Sequence, residues 1–124
     1  MRIVERAMEI INEEAKNDIQ NTLVGKGKTL RDYQGKAGIY QISKGKDSYI
    51  GWSNDIARRI GEHFKPHEVK RAKKENYSSG FRAACNSGIA NCTIRVLELT
   101  SDESREEYWI EKKQPSWNTN KGRG

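Results

Sequence analysis

Glu106 lies in the run REEYWIEK with Trp109 and Ile110 three and four positions on, so at helical spacing its carboxylate shares their apolar face. Glu103, Glu107 and Glu111 have solvent-facing alternatives. A carboxylate aimed at an apolar face is costly unless it has a partner, a metal or a chemical role. Arg59 and His63 stand four residues apart, along the border of a stripe made by Ile56, Ile60 and Phe64, which suits the wall of a cleft. Tyr40 and Tyr49 fall in two short apolar segments, GIYQIS and SYIGWS. Carboxylate, guanidinium, imidazole and phenol are groups that bind ions and move protons, although paired-strand tyrosines also serve as ordinary core or edge aromatics.

The elements that must position these groups can be read from period and punctuation. The two tyrosine segments flank the turn-like KGKD at residues 44 to 47 and predict a β-hairpin, with Tyr40 and Ile42 on one face of its first strand. In its second strand Tyr49 and Gly51 face one way, Ile50 and Trp52 the other. Ser53, Asn54 and Asp55 supply cap chemistry for a helix to about Phe64, stopped by Pro66. SGFRAACNSG predicts a short helix ending near Gly88. NCTIRVLELT predicts a third strand, with Cys92, Ile94 and Val96 on one face and Leu97 and Leu99 on the other, the pattern of a central strand covered on both sides. Thr100 with Glu103 forms a capping-box signature for a helix running to about Lys113, before Pro115. Residues 3 to 19 predict an amphipathic helix that packs on the domain or, alternatively, dimerises, and residues 25 to 36 predict a loop.

Composition bounds the functional classes. With 124 residues, 34% hydrophobic and 32% charged, the chain fits one soluble globular domain rather than a disordered or fibrous one. Lysine and arginine number 23 against 17 acidic residues, a net charge of +6 that favours a polyanion, nucleic acid first. Charge alone does not separate that from simple solubilisation by lysine, so a motif has to decide. Cys85 and Cys92 are neither spaced as a zinc site nor numerous enough for a disulfide scaffold, so both are expected to be reduced and structural. The N-terminal MRIVERAMEIINEE carries no apolar run of signal-peptide or membrane-span type, and the expectation is a cytoplasmic protein with no membrane partner.

Gly38-Ile39-Tyr40 and Tyr49-Ile50-Gly51, with eight residues between the tyrosines, resemble the paired elements that name the GIY-YIG endonucleases. Tripeptides alone are weak; the order of the residues after them makes the match specific. Arg59 comes eight residues after Gly51, His63 one turn later, Glu106 within REEYWIEK and Asn118 within PSWN. The resemblance spans about residues 37 to 119. It implies an α+β fold, a small three-stranded antiparallel sheet flanked by helices, with residues 37–124 as the nuclease domain and 1–36 as an N-terminal helix and loop.

The resemblance also implies roles. Tyr40 would accept the proton of the attacking water, and because a free phenol has a pKa of about 10, nearby cations must favour its phenolate or the transfer must be concerted. Lys44, Lys46 and Arg59 are the candidate cations. Arg59 would stabilise the transition state, and Glu106 would bind one Mg²⁺, with Mn²⁺ able to substitute. His63 would orient Tyr40 or relay its proton, Tyr49 would hydrogen-bond a phosphate, and packing is the alternative for both. Asn118 would hold the backbone of the site. DNA contacts are expected from Lys44, Lys46 and Arg58, and from the basic connection bearing Lys70, Arg71, Lys73 and Lys74.

Tyr77 stands where some homing-enzyme relatives carry a histidine, and no separate DNA-recognition domain is evident, so the resemblance is to compact phage- or restriction-type members. The competing classes are a non-catalytic DNA-binding module and a nuclease that recognises branched DNA by shape. A homodimer is expected if double-strand breaks are made in one encounter.

Overall fold

The computed structural model describes residues 19–64 and 78–118. The predicted helix of residues 3 to 19 and the basic connection with Lys70, Arg71, Lys73 and Lys74 lie almost wholly outside the described residues. Strands β1 (Leu23–Gly25) and β2 (Lys28–Thr29) form a small ladder, followed by a 3₁₀ turn, Leu30–Tyr33. Strands β3 (Gly38–Lys44) and β4 (Asp47–Ser53) form the predicted hairpin, pairing Tyr40 with Gly51 and Lys44 with Asp47. Gly45 supplies the positive φ, 64°, that a two-residue hairpin loop needs. Helices α1 (Ile56–His63) and α2 (Ser79–Ser87), strand β5 (Thr93–Leu99) and helix α3 (Arg105–Lys113) complete the order.

The three-stranded antiparallel sheet runs β4-β3-β5, giving the α+β architecture expected. The central strand, however, is β3 and not β5. The apolar run of β5 suggested two covered faces, but Thr93 and Arg95 are exposed and Leu99 is 53% exposed, as suits an edge. Alternation along β3 divides the core. Tyr40 and Ile42 face a large cluster with Leu30, Ile56, Ile60, Phe81, Ile94 and Trp117, whereas Ile39 faces a smaller one with Ile50 and Ile110.

The register of β5 against β3 slips at Ile39/Tyr40, so that Ile39 pairs with Glu98 but Tyr40 with Val96, leaving Leu97 as the extra residue. This brings β5 tightly onto Gly38. A Cβ there would collide with the Glu98 carbonyl oxygen and stand 3.0 Å from Leu99 Cα and 3.1 Å from Ile56 Cδ1. The first glycine of the GIY element is therefore required by backbone approach.

Two helix starts contrast. Asp55 caps α1 as predicted, its side chain accepting from Arg58 N at 3.2 Å. The capping box predicted at Thr100 and Glu103 does not form. Thr100 Oγ1 accepts from Asp102 N at 3.0 Å and Asp102 Oδ1 from Ser104 N at 3.0 Å, so local turns use these side chains and α3 opens only at Arg105. Residues 25 to 36 are also not a plain loop: they hold β2 and the 3₁₀ turn, and Leu30, 0% exposed, joins the main core. Leu30→Ala should therefore destabilise the protein by about 2–5 kcal/mol in urea unfolding. A loss below about 0.5 kcal/mol, the range of surface changes, would detach this segment from the core.

Candidate active site

As an edge strand, β4 points backbone donors and acceptors outward at every second residue. Among the described residues no fourth strand meets them. After α3, Gln114 adopts φ 50° and turns the chain back along β4. Ser116 Oγ accepts from Ser48 N at 3.3 Å, and Trp117 N donates to Ser48 O at 2.8 Å. Asn118 then meets Ile50 with both ends of its amide: Oδ1 accepts from Ile50 N at 2.9 Å and Nδ2 donates to Ile50 O at 2.8 Å. Glu106 Oε2 accepts from Trp52 N at 2.7 Å. Two of the predicted site residues are thus fixed at successive outward positions of one strand.

Gly51 stands between those two positions, on the inner side, opposite Tyr40. A Cβ on Gly51 would lie 2.7 Å from Tyr40 Oη, 2.9 Å from Tyr40 Cζ and 3.0 Å from Tyr49 Cε2. The glycine of the YIG element is the floor on which the Tyr40 phenol rests. Tyr40 is 1% exposed, and its hydroxyl is 2.8 Å from His63 Nε2. The sequence placed His63 at the border of the α1 stripe; it is in fact buried, 3% exposed, because Tyr40, Tyr49 and Phe81 close around the ring. Burial, helped by the positive charge of Arg59, pushes the imidazole pKa down to about 3. The ring is neutral, and when Nδ1 carries its proton, Nε2 accepts from Tyr40.

Phe81 and Trp117 belong to this site although neither was singled out in the sequence. Tyr49 stacks on Phe81 with ring centroids 4.3 Å apart and 13° between planes, and Phe81 meets Trp117 at 5.8 Å. Gly80 admits the indole, since a Cβ there would stand 2.7 Å from Trp117 Nε1. Only the nearness of Trp117 to Asn118 in PSWN hinted at it.

Arg59 donates to Glu62 Oε1 at 3.1 Å, and Arg58 donates to Glu62 Oε2 at 2.9 Å. Partial burial would raise the Glu62 pKa, but hydrogen bonds and charge from Arg59 and Arg58 outweigh it and the net shift is downward. Glu62 was also missed, although its i,i+3 and i,i+4 spacing from the two arginines was available. Lys44 and Lys46 do not stand beside Tyr40. Lys44 is four residues on, roughly 13 Å along the strand, with Nζ 3.4 Å from Ser87 Oγ, and Lys46 is in the hairpin turn. Arg59 is the cation coupled to the Tyr40–His63 pair.

Among the described residues no group of three or more His, Cys, Asp or Glu side chains converges on a metal-sized space. Glu106 offers a single hard carboxylate, which fits Mg²⁺, a cation that keeps several waters and shares substrate phosphate oxygens. Burial, with Cys92 nearby, pushes the Cys85 thiol up to about 12, and burial raises Cys92 as well, which disfavours the thiolate at both.

His63 makes stability depend on pH. Its folded pKa lies below its unfolded value of about 6.5, so its contribution is present above that pH and is lost as pH falls toward about 3. The His63 ring resonance in NMR should hold its neutral shift from pH 8 to 5, and His63→Gln should flatten the loss of stability below pH 6.5. A His63 midpoint near 6.5 would refute the dry pocket.

The family model of the GIY-YIG catalytic domain matches residues 36–121. No curated protein and no solved structure matches the chain. Among the described residues no helix is long and apolar enough to cross a membrane. The match covers more than half of the chain and every residue of the site built above, so the chain belongs to the GIY-YIG family and carries its nuclease-type catalytic domain.

Proposed function

We propose that the chain is a metal-dependent DNA endonuclease that hydrolyses phosphodiester bonds at the Tyr40, His63, Arg59 and Glu106 site. The observation that carries this reading is the 2.8 Å contact between the Tyr40 hydroxyl and the neutral, buried His63 ring. A phenol held this way presents its oxygen to a water while its own proton points at an acceptor.

As water attacks phosphorus, Tyr40 takes the water's proton and its own passes toward His63 Nε2. The transfers are concerted. A free phenolate is disfavoured with a phenol pKa of about 10, and a resting imidazolium is disfavoured with His63 at about 3. Negative charge building on the phosphorane offsets the cost of the imidazolium at that moment. Arg59 exchanges its Glu62 oxygen for a non-bridging phosphate oxygen and stabilises the same charge. Tyr49, stacked on Phe81, hydrogen-bonds a phosphate, and Asn118 holds the β4 backbone in place. Glu106 would hold the divalent cation, Mg²⁺ with Mn²⁺ as a substitute; the chemistry supplied there is neutralisation of charge at the phosphate and the leaving oxygen. Lys44, Lys46 and Arg58, with Lys70, Arg71, Lys73 and Lys74, bind the flanking backbone. Double-strand breaks made in one encounter require a homodimer, because one such site cuts one strand.

Supercoiled plasmid tests this reading. The wild-type chain should cut it with added Mg²⁺ and not after chelation, and Tyr40→Phe should fold normally yet cut about 10²-fold or more slowly. Undiminished cutting after chelation would remove the metal from the account; near wild-type turnover by Tyr40→Phe would reassign Tyr40 to packing.

A further inference from the structure

Glu98 is aimed by the irregularity in β5. Strict alternation would put residue 98 on the face of Ile94 and Val96, which belong to the large cluster. Because Leu97 is the extra residue of the bulge, Glu98 pairs with Ile39 instead and shares the face where Ile39, Leu97, Trp109 and Ile110 form the small cluster. There its carboxylate meets two side chains of α3. Oε1 accepts from Trp109 Nε1 at 2.8 Å and from Arg105 Nε at 3.0 Å, and Oε2 lies 3.2 Å from the same Arg105 Nε. Arg105 immediately precedes Glu106 and Trp109 follows it by one turn, so these two anchors bracket the site carboxylate.

We propose that Glu98 is a positioning residue: by holding Arg105 and Trp109 it sets the rotation of α3 about its axis, and with it the place of the Glu106 carboxylate. The Arg105 and Glu98 side chains are 37% and 30% exposed, where an ion pair adds little to stability, so its geometry matters more than its energy. A helix has a radius of about 5–6 Å with its side chains, so a turn of about 10° moves a carboxylate by about 1 Å. A misplacement of that size is enough to cost about 10²-fold in rate. The effect on rate rests on the nuclease reading; the effect on the 2.7 Å contact between Glu106 Oε2 and Trp52 N does not.

Glu98→Ala removes the acceptors, whereas Glu98→Gln keeps one oxygen for Trp109 Nε1 and Arg105 Nε. In the full-length chain, the Trp52 amide proton is followed by NMR without metal or DNA. Single-turnover plasmid cleavage is measured across a Mg²⁺ series well below the unfolding transition, with DNA affinity in chelator alongside. In Glu98→Ala the Trp52 amide should move upfield and exchange faster, because its bond to Glu106 loosens. The maximal rate should fall about 10- to 100-fold and the half-saturating Mg²⁺ concentration should rise, with DNA affinity unchanged. Glu98→Gln should restore most of each. If Glu98→Ala does not fold, Trp109→Phe, which keeps an aromatic ring and deletes the indole donor, should change the same readouts in the same direction. A wild-type Trp52 amide, a wild-type rate and Mg²⁺ dependence, or a Glu98→Gln no better than Glu98→Ala overturns the proposal. If the wild type does not cut DNA, the nuclease reading falls, and the Trp52 amide alone decides the role of Glu98.

Discussion

An edge strand must give its outward N–H and C=O groups partners, and in β4 those partners are side chains and turns from the C-terminal third of the chain. Glu106 takes Trp52 N, Asn118 takes both backbone groups of Ile50, and Ser116 and Trp117 take Ser48. The same bonds that close the sheet therefore deliver a carboxylate and set the final segment against the hairpin. Gly51, between Ile50 and Trp52, receives the Tyr40 phenol on the inner side. Moving β4 by one residue would turn the Tyr49 face to the opposite side of the sheet, toward the Ile39 and Ile110 cluster, and break these anchors together.

The inner side is governed by dehydration. His63 stays neutral because aromatic rings exclude water from it and Arg59 adds positive charge nearby. In the proposed mechanism, a neutral acceptor beside a phenol and a cation paired with Glu62 form a resting state in which no charge of the proton-transfer pair is spent before an anion arrives. Preorganisation of this kind is where electrostatic stabilisation of a transition state comes from.

Much of this was legible in the sequence, because local periodicity dictates it. The hairpin, the Asp55 cap of α1, the extent of α2 and the inward lean of Glu106 follow from spacing alone. The features that were not legible depended on partners distant along the chain. β5 reads as central from its apolar residues, yet which strand lies in the middle is decided by pairing, and β3 has both neighbours. Leu30 reads as part of a loop because Gly25 and Gly27 mask the two-residue strand that precedes it. Lys44 and Lys46 are near Tyr40 in number but are carried away by an extended strand, whereas Phe81 is far in number and stacks in the site. His63 could be assigned a helix face, but its burial depends on rings supplied by β3, β4 and α2.

We propose that Glu106 has two separable tasks, one oxygen fixing the β4 edge and the carboxylate charge serving the chemistry. Glu106→Gln separates them, since the amide oxygen still accepts from Trp52 N but no longer offers a charged ligand to a cation. The decisive measurement is single-turnover plasmid cleavage by Glu106→Gln in Mg²⁺, with thermal unfolding and DNA affinity as controls. A folded protein that binds DNA as tightly as the wild type or more tightly, and cuts about 10²-fold or more slowly, is the result predicted. Cleavage at the wild-type rate would contradict the account.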